Sequence, residues 1–202
     1  MFQFTDFTGQ AGIAFMLTTL LLPATRRLEK QQRAMLSVVV FVLALIPFGG
    51  LPISAYVRGA TGDLSITTLV LLCTAWLNSG KDSSTFAPVW SKGRDTLLLL
   101  ITLVALLFYP MALGAGLLDP YRIGYGEPLF IVVLLLLALV AWFKESLLVV
   151  LCIALSVLAW ASGWYESNNL WDYMLDPFLA VYALWVVIVD NLKGLFRRPA
   201  KI

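Results

Sequence analysis

The chain has no histidine, and its 202 residues include only two cysteines. The lack of histidine excludes His-ligated haem, histidine-based zinc sites and any Ser-His-Asp triad. No Cys-x-x-Cys pair occurs, which argues against a thiolate metal or iron–sulfur site. Cys73 and Cys152 both lie in apolar runs, so we expect two small buried hydrophobic residues. We therefore predict no metal and no cofactor.

Charge is also scarce. Only 13% of the residues are charged, whereas 60% are hydrophobic and the mean hydropathy is +0.88. A soluble domain carries about 25% charged residues, because it needs a hydrated surface. The apolar residues come in long blocks, as helices facing lipid require. We predict an all-α, polytopic integral membrane protein, with residues 1–202 forming one transmembrane helical domain in the lipid bilayer.

Seven apolar segments are candidates for transmembrane helices, each of which needs about 20 residues. They are 7–24, 34–57, 64–78, 96–117, 128–143, 146–162 and 177–192. Only Lys144 and Glu145 separate the fifth from the sixth. A single helix over 128–162 would be roughly 50 Å long, against an apolar core of about 30 Å. The sequence therefore predicts a tight turn at 142–145.

Basic residues orient the seven segments, because cytoplasmic loops carry an excess of Lys and Arg. With the N-terminus outside and the C-terminus cytoplasmic, twelve basic residues lie inside, and only Arg58 and Arg122 lie outside. The inner set is Arg26, Arg27, Lys30, Arg33, Lys81, Lys92, Arg94, Lys144, Lys193, Arg197, Arg198 and Lys201. The basic residues flank membrane segments and form no continuous patch, so no nucleic-acid partner is expected.

Two absences favour a bacterial inner membrane. Residues 1–10 contain no Lys or Arg, so we expect no cleavable signal peptide. No Asn-x-Ser/Thr sequon occurs, so nothing indicates a glycosylating compartment. The segment 80–85, GKDSST, also lacks the spacing of a phosphate-binding loop, which argues against a nucleotide site.

The predicted outer loops are acidic and aromatic. Their acids are Asp6, Asp63, Asp119, Glu127, Glu166, Asp172 and Asp176, and their aromatic residues are Tyr121, Tyr125, Trp164, Tyr165, Trp171 and Tyr173. Trp and Tyr also favour the headgroup level of any membrane, so part of this set is explained by an interfacial belt.

Helix capping explains about half of these acids. The tripeptide Leu-Asp-Pro occurs twice, at Asp119 and Asp176, and Asp before Pro is typical of a helix start. We expect Glu127 to begin the fifth helix through its interaction with the helix dipole. Asp63 is expected to cap the third helix and Asp95 the fourth.

The stretch 162–177, SGWYESNNLWDYMLDP, predicts a short amphipathic helix in the outer interface. Ser167 or Asn168 is a plausible N-cap. At helical spacing Trp164, Trp171, Leu175 and Phe178 share one face, while Glu166, Asn169 and Tyr173 lie elsewhere. We expect this stretch to meet the loop 117–128, where Arg122 pairs with Glu166, Asp172 or Asp176, or with a phosphate of a ligand.

The predicted spans contain no charged residue near their middle, whereas ion-coupled transporters and proton relays usually place one there. Two spans are interrupted, the second at 47–52, PFGGLP, and the fourth at Pro110. We interpret both as proline kinks, which are common in membrane bundles. The alternative is a broken helix that lines a substrate site.

These features favour a non-catalytic inner-membrane subunit or scaffold, whose outer loops bind a protein partner or an envelope lipid or glycan. The residues predicted to form the binding surface are Asp119, Tyr121, Arg122, Glu127, Trp164, Glu166, Trp171, Asp172, Tyr173 and Asp176. Two alternatives stay open. One is a transferase acting on a lipid-linked substrate at the outer leaflet, with Arg122 holding phosphate. The other is a flippase or permease, which the interrupted second span favours.

Overall fold

A computed structural model describes residues 4–25, 27–79 and 87–196, without the side chains of 87–92 and 194–196. Within the described residues, the regular secondary structure is helical apart from one small hairpin, which confirms the all-α prediction. Its elements are α1 (Phe4–Leu20), α2 (Lys30–Leu45), β1 (Pro47–Phe48), β2 (Leu51–Pro52), α3 (Ile53–Thr61), α4 (Ile66–Leu77), α5 (Ala87–Ala112), a 3₁₀ helix η1 (Pro120–Gly124), α6 (Pro128–Phe143), α7 (Leu147–Ala161), α8 (Leu170–Met174) and α9 (Pro177–Phe196).

Some predictions lie outside the described residues. They concern Arg26, Lys81, Arg197, Arg198, Lys201, the side chain of Lys92 and the segment 80–85.

The tight turn between the fifth and sixth segments is confirmed. Helix α6 ends at Phe143, and α7 begins at Leu147. Glu145 has φ 56°, the only positive φ of a non-glycine residue in the described ranges. The backbone N–H of Ser146 donates to the carbonyl of Ala141 at 2.8 Å, a bond that closes the end of α6. The two helices pack side by side.

The prediction that the second span, 34–57, is a single kinked helix is wrong. Helix α2 stops at Leu45, and β1 pairs antiparallel with β2 across Gly49 and Gly50. Pro47 cannot continue the helix because it lacks a backbone N–H. The glycines adopt φ 67° and 116°, which allows a two-residue reversal. In contrast, α5 runs through Pro110 and ends two residues later.

Helix starts agree in part with the expected caps. Asp119 accepts a hydrogen bond from the Tyr121 N–H at 3.0 Å, and Asp176 accepts one from the Leu179 N–H at 2.8 Å, so both caps are confirmed. Glu127 occupies the N-cap position of α6, and its side chain makes no capping bond.

The other cap assignments are wrong. Ser65 caps α4 by accepting from the Thr68 N–H, whereas Asp63 pairs with Arg58. Asp95 lies inside α5, which starts eight residues earlier at Ala87. Asn169, rather than Ser167 or Asn168, caps α8 by accepting from the Trp171 N–H at 3.0 Å.

The core lies where α5, α7 and α9 meet. Leu98, Leu148, Cys152 and Ala183 are almost completely buried there. A second cluster, around Leu170 and Tyr173, packs α8 onto α6 and α7. Both cysteines are free; Cys152 is buried as expected, but Cys73 is exposed on α4, which corrects that part of the prediction.

The flanks of the bundle are apolar and exposed. On α6, Leu129, Leu135 and Phe143 are all more than half exposed, and Phe143 reaches 82%. One described helical segment, Gly93–Ala112, is long and apolar enough to cross a membrane. Three shorter apolar helices are Ile66–Leu77, Pro128–Phe143 and Leu147–Ala161. The seven-span architecture therefore stays a prediction.

Candidate functional site

The loops 113–127 and 162–176 meet at one end of the bundle, as predicted, and we call this pair of loops the cap. The Asn169 side-chain amide donates to the carbonyl of Tyr121 at 2.9 Å. The Trp171 indole donates to the carbonyl of Pro120, also at 2.9 Å. These bonds satisfy backbone carbonyls of η1 with side chains of α8, so each loop fixes the conformation of the other.

Gly124 permits this close contact. It is buried, and a Cβ atom added there would overlap Asn169 Oδ1 and lie 2.6 Å from Trp171 Cδ1. Only glycine fits the present arrangement at this position.

Trp171 anchors the cap to the helices below. Its ring lies 4.6 Å from Phe108 of α5 and 4.7 Å from Phe130 of α6, centroid to centroid. Such aromatic contacts add to the stabilisation from burial. The ring is thus used for internal packing, and its predicted role in binding a partner stays untested.

Tyr173 is completely buried, although the amphipathic pattern placed it away from the apolar face. Its hydroxyl accepts from the Tyr165 N–H at 3.1 Å and lies 2.9 Å from the Ser167 carbonyl. The Tyr165 hydroxyl in turn donates to the Leu64 carbonyl at 2.8 Å. Burial is the main cause that raises the pKa of both tyrosines above the ordinary value. Both phenol groups therefore stay neutral, and their hydrogen bonds connect the backbone segments of the cap.

Asp172 also connects the two loops of the cap. It accepts from the Tyr121 hydroxyl at 2.9 Å and from the Ser167 hydroxyl at 2.5 Å. Burial, and then the hydrogen bond to Asp172, raise the pKa of Tyr121 above its ordinary value. Tyr121 consequently remains a hydrogen-bond donor at neutral pH.

Asp176 is only 4% exposed and has four donors. Its Oδ2 accepts from the Ser65 N–H at 3.0 Å, the Ser65 hydroxyl at 2.8 Å and the Thr68 hydroxyl at 2.5 Å. Its Oδ1 accepts from the Leu179 N–H. The carboxylate therefore ties the start of α4 to the start of α9, which goes beyond the predicted cap of one helix.

Arg122 does not pair with any of the carboxylates proposed for it. It is exposed and forms no ion pair with another described residue. Asp172 and Asp176 are already satisfied within the cap, and Glu166 faces Arg58 instead. That expectation is wrong, and the alternative of a ligand phosphate at Arg122 stays untested.

Beside the cap lies a polar cavity, and we call this cavity the acidic cleft. It has a volume of about 590 Å³ and is lined by Asp6, Gln10, Leu51, Ala55, Arg58, Gly59, Gly62, Asp63 and Glu166. Arg58 grips both oxygens of Asp63, with Nε at 2.6 Å and Nη2 at 3.0 Å, and reaches Asp6 with Nη1 at 3.1 Å. Helices α1 and α3 and the start of α4 therefore meet through one guanidinium.

Among the described residues, the acidic cleft has a surplus of negative charge. Three carboxylates, Asp6, Asp63 and Glu166, surround one guanidinium. The hydrogen bond to Asp63 is the largest cause that raises the pKa of Arg58, and Asp6 and Glu166 act in the same direction. Throughout the described ranges, no three His, Cys, Asp or Glu side chains are grouped to hold a metal ion. The charge of this cleft suits a positively charged group.

Sequence reasoning missed the acidic cleft. It counted Arg58 as an outer basic residue but assigned it no partner, and it gave Asp63 to a helix cap. The available signal was PFGGLP at 47–52: a chain reversal there, instead of a kink, makes 53–61 a separate surface helix. That helix carries Arg58, and outer acids at positions 6 and 63 are its natural partners.

The remaining predicted binding residues are exposed. Asp119, Arg122 and Glu127 surround η1 on one side of the cap. Trp164 and Glu166 lie on the other side, where the Trp164 ring contacts Phe4 edge-on at 5.7 Å and Glu166 reaches the acidic cleft. The ten predicted residues thus divide into a buried or half-buried framework and two exposed groups.

Searches for similar family models, curated proteins and solved structures found no match for the chain.

Proposed function

We propose that this chain is a multi-pass bacterial inner-membrane protein with its N-terminus outside, acting as a non-catalytic subunit or scaffold. The acidic cleft carries the proposal: it docks a basic segment of a partner protein at the outer face. The cap holds this cleft in place, and its own exposed rim enlarges the docking surface.

The distribution of polarity supports the membrane location. The flanks of α5 and α6 expose long apolar side chains, and contiguous apolar patches of that kind mark membrane or partner contacts. The polar networks of Arg58 and Asp176 lie at one end. At the other end Arg33 donates to the carbonyls of Ser79 and Leu28. An apolar belt between two polar ends is what a bilayer requires.

The short helices are compatible with that location. Helices α4, α6 and α7 have 12, 16 and 15 residues, roughly 18–24 Å at 1.5 Å per residue. This is less than the ~30 Å apolar core, and local thinning of the bilayer takes up such a mismatch at a modest cost.

The charge of the acidic cleft favours a protein partner over a phosphorylated lipid. Three carboxylates against one guanidinium repel a phosphate and attract an ammonium or guanidinium group. A lipid-linked phosphate, which a transferase or flippase would bind, therefore does not suit this cleft. Exposed Glu166 is the carboxylate best placed to meet a partner, because Arg58 already grips Asp6 and Asp63.

Site-specific crosslinking in host membranes tests this function. A photoreactive residue at Gln10, which lines the acidic cleft, should give one protein adduct of defined mass, crosslinked through a basic segment. Glu166→Lys should remove that adduct. Glu127→Lys, an equal reversal at an exposed acid outside the cleft, should leave it intact. An adduct to lipid, no adduct, or equal effects of the two reversals would overturn the proposal.

A further inference from the structure

An apolar groove runs between α5 and α6 and shares no lining residue with the acidic cleft. These helices follow each other in the chain, yet both pack on α7 and hardly on each other. The space left between them has a volume of about 410 Å³. Its walls include Val104 of α5 and Leu137 of α6, and its floor is formed by Val149, Cys152 and Ile153 of α7. We call it the lateral groove.

The lateral groove is mostly apolar, and the one charged residue among the described residues that line it, Lys144, lies at one mouth. Phe130 and Trp171 lie at the cap end, and Lys144, Thr96 and Ser146 lie at the opposite end. Phe130 and Lys144 are fourteen residues apart on α6, which corresponds to roughly 21 Å at 1.5 Å per residue. That length exceeds one leaflet of the apolar core, which is about 15 Å deep.

Lys144 is the feature that selects an occupant. It is exposed at the end of α6 and forms no ion pair with another described residue. Thr96 and Ser146, which both carry a hydroxyl group, line the same mouth. An ammonium with neighbouring hydroxyls, placed where an apolar channel opens, matches a phosphate that is attached to a hydrocarbon chain.

We propose that the lateral groove holds an acyl chain of an anionic phospholipid from the cytoplasmic leaflet, with Lys144 binding its phosphate. The proposal rests on the membrane location proposed above. A transmembrane helix of a partner is too large for the groove. Helices are about 10–12 Å across, so a segment of this length would occupy on the order of 2,000 Å³. The available 410 Å³ instead falls in the range of small-ligand sites.

Native mass spectrometry of the full chain in detergent tests this site. Phosphatidylglycerol and phosphatidylcholine with identical acyl chains are added separately. We expect one bound phosphatidylglycerol, with about a fivefold preference over phosphatidylcholine, equivalent to ~1 kcal/mol for one basic residue near a headgroup. Lys144→Gln should abolish the preference, whereas Lys144→Arg should keep it.

Matched tryptophan substitutions test whether the chain lies in the groove. Leu137→Trp and Val104→Trp fill it from opposite walls and should each lower binding of both lipids at least fivefold. Their neighbours Leu136→Trp and Leu103→Trp add the same ring to exposed positions outside the groove and should bind as the unsubstituted protein does.

Equal binding of the two lipids, or equal effects of the groove and control substitutions, would overturn the lipid site while leaving the membrane location intact. A chain that is monodisperse in water without detergent and retains no lipid would instead overturn the membrane location. Displacement of the bound lipid by a copurified helical subunit would show that a partner helix, and not a lipid, occupies the groove.

Discussion

Individual residues in the cap serve more than one neighbour at once. Asp176 was predicted to cap α9, and it does, but the same carboxylate also holds the first turn of α4. Ser65 and Asp176 are 111 positions apart in the chain, so no local pattern could indicate the second role. The Leu-Asp-Pro pattern predicted the local bond to the Leu179 N–H, but the bonds to Ser65 and Thr68 became apparent only in the structure.

Substitution of Asp176 should show how much the distant bonds contribute. Asp176→Asn places an amide NH₂ among N–H and O–H donors, so we expect unfolding in detergent to become easier by about 1–3 kcal/mol. Asp119→Asn is the matched control: its single bond to the Tyr121 N–H is at the surface, and Asn caps a helix about as well as Asp, so the cost should be below ~0.5 kcal/mol. Similar losses of stability in the two variants would contradict the conclusion that Asp176 connects α4 and α9 through its hydrogen bonds.

Gly124 provides a test of the contact between the two cap loops. Gly124→Ala forces its Cβ against Asn169 and Trp171, so the loops must separate and the thermal midpoint should fall by several degrees. Gly116→Ala is the control, because an added Cβ meets nothing within 4 Å there. Tryptophan fluorescence should change only in the first variant. An unchanged midpoint for Gly124→Ala would show that the loops do not pack as described.

At the scale of elements, some local sequence signals predicted the secondary structure correctly. Contacts between distant segments could not be predicted from the sequence. Lys144 and Glu145 interrupt a long apolar run, and the length limit of a span made a turn there necessary. Helix α8 was recognised, but its buried side was not. Tyr173 and Asn169 looked solvent-facing because their polarity is satisfied by partners in other segments. The acidic cleft was not predicted for the same reason, since Arg58 and Asp6 are 52 positions apart.

The hairpin between α2 and α3 allows a further test of the structure. Gly49 has φ 67°, so Gly49→Ala should destabilise the protein by ~1 kcal/mol, because L-residues are strained there. Gly59 lies in the interior of α3 with open space around it, so Gly59→Ala should stabilise by about 0.5–1 kcal/mol. Opposite shifts of the midpoint are expected in detergent. A kinked continuous helix over 34–57 would instead make Gly49→Ala stabilising as well.

For the whole molecule, the described basic residues separate toward the two ends of the bundle. Arg58 and Arg122 lie with the acids at the cap. Lys144 ends α6 and Lys193 lies in the last turn of α9, both remote from the starts of those helices at the cap. This separation gives the proposed orientation a geometric basis: a bilayer between the two ends would place the basic end in the cytoplasm.

Cysteine labelling tests the orientation directly. In a Cys73→Ala, Cys152→Ala background, single cysteines replace Leu117 in the cap and Lys193 near the end of α9, both exposed positions. An impermeant maleimide should label Leu117→Cys in intact cells and Lys193→Cys only after the membrane is opened. Glu166→Cys should behave like Leu117→Cys, because the acidic cleft and the cap lie at one end. Labelling of all three in intact cells would exclude an apolar belt between the two ends, and reversed access would invert the proposed topology.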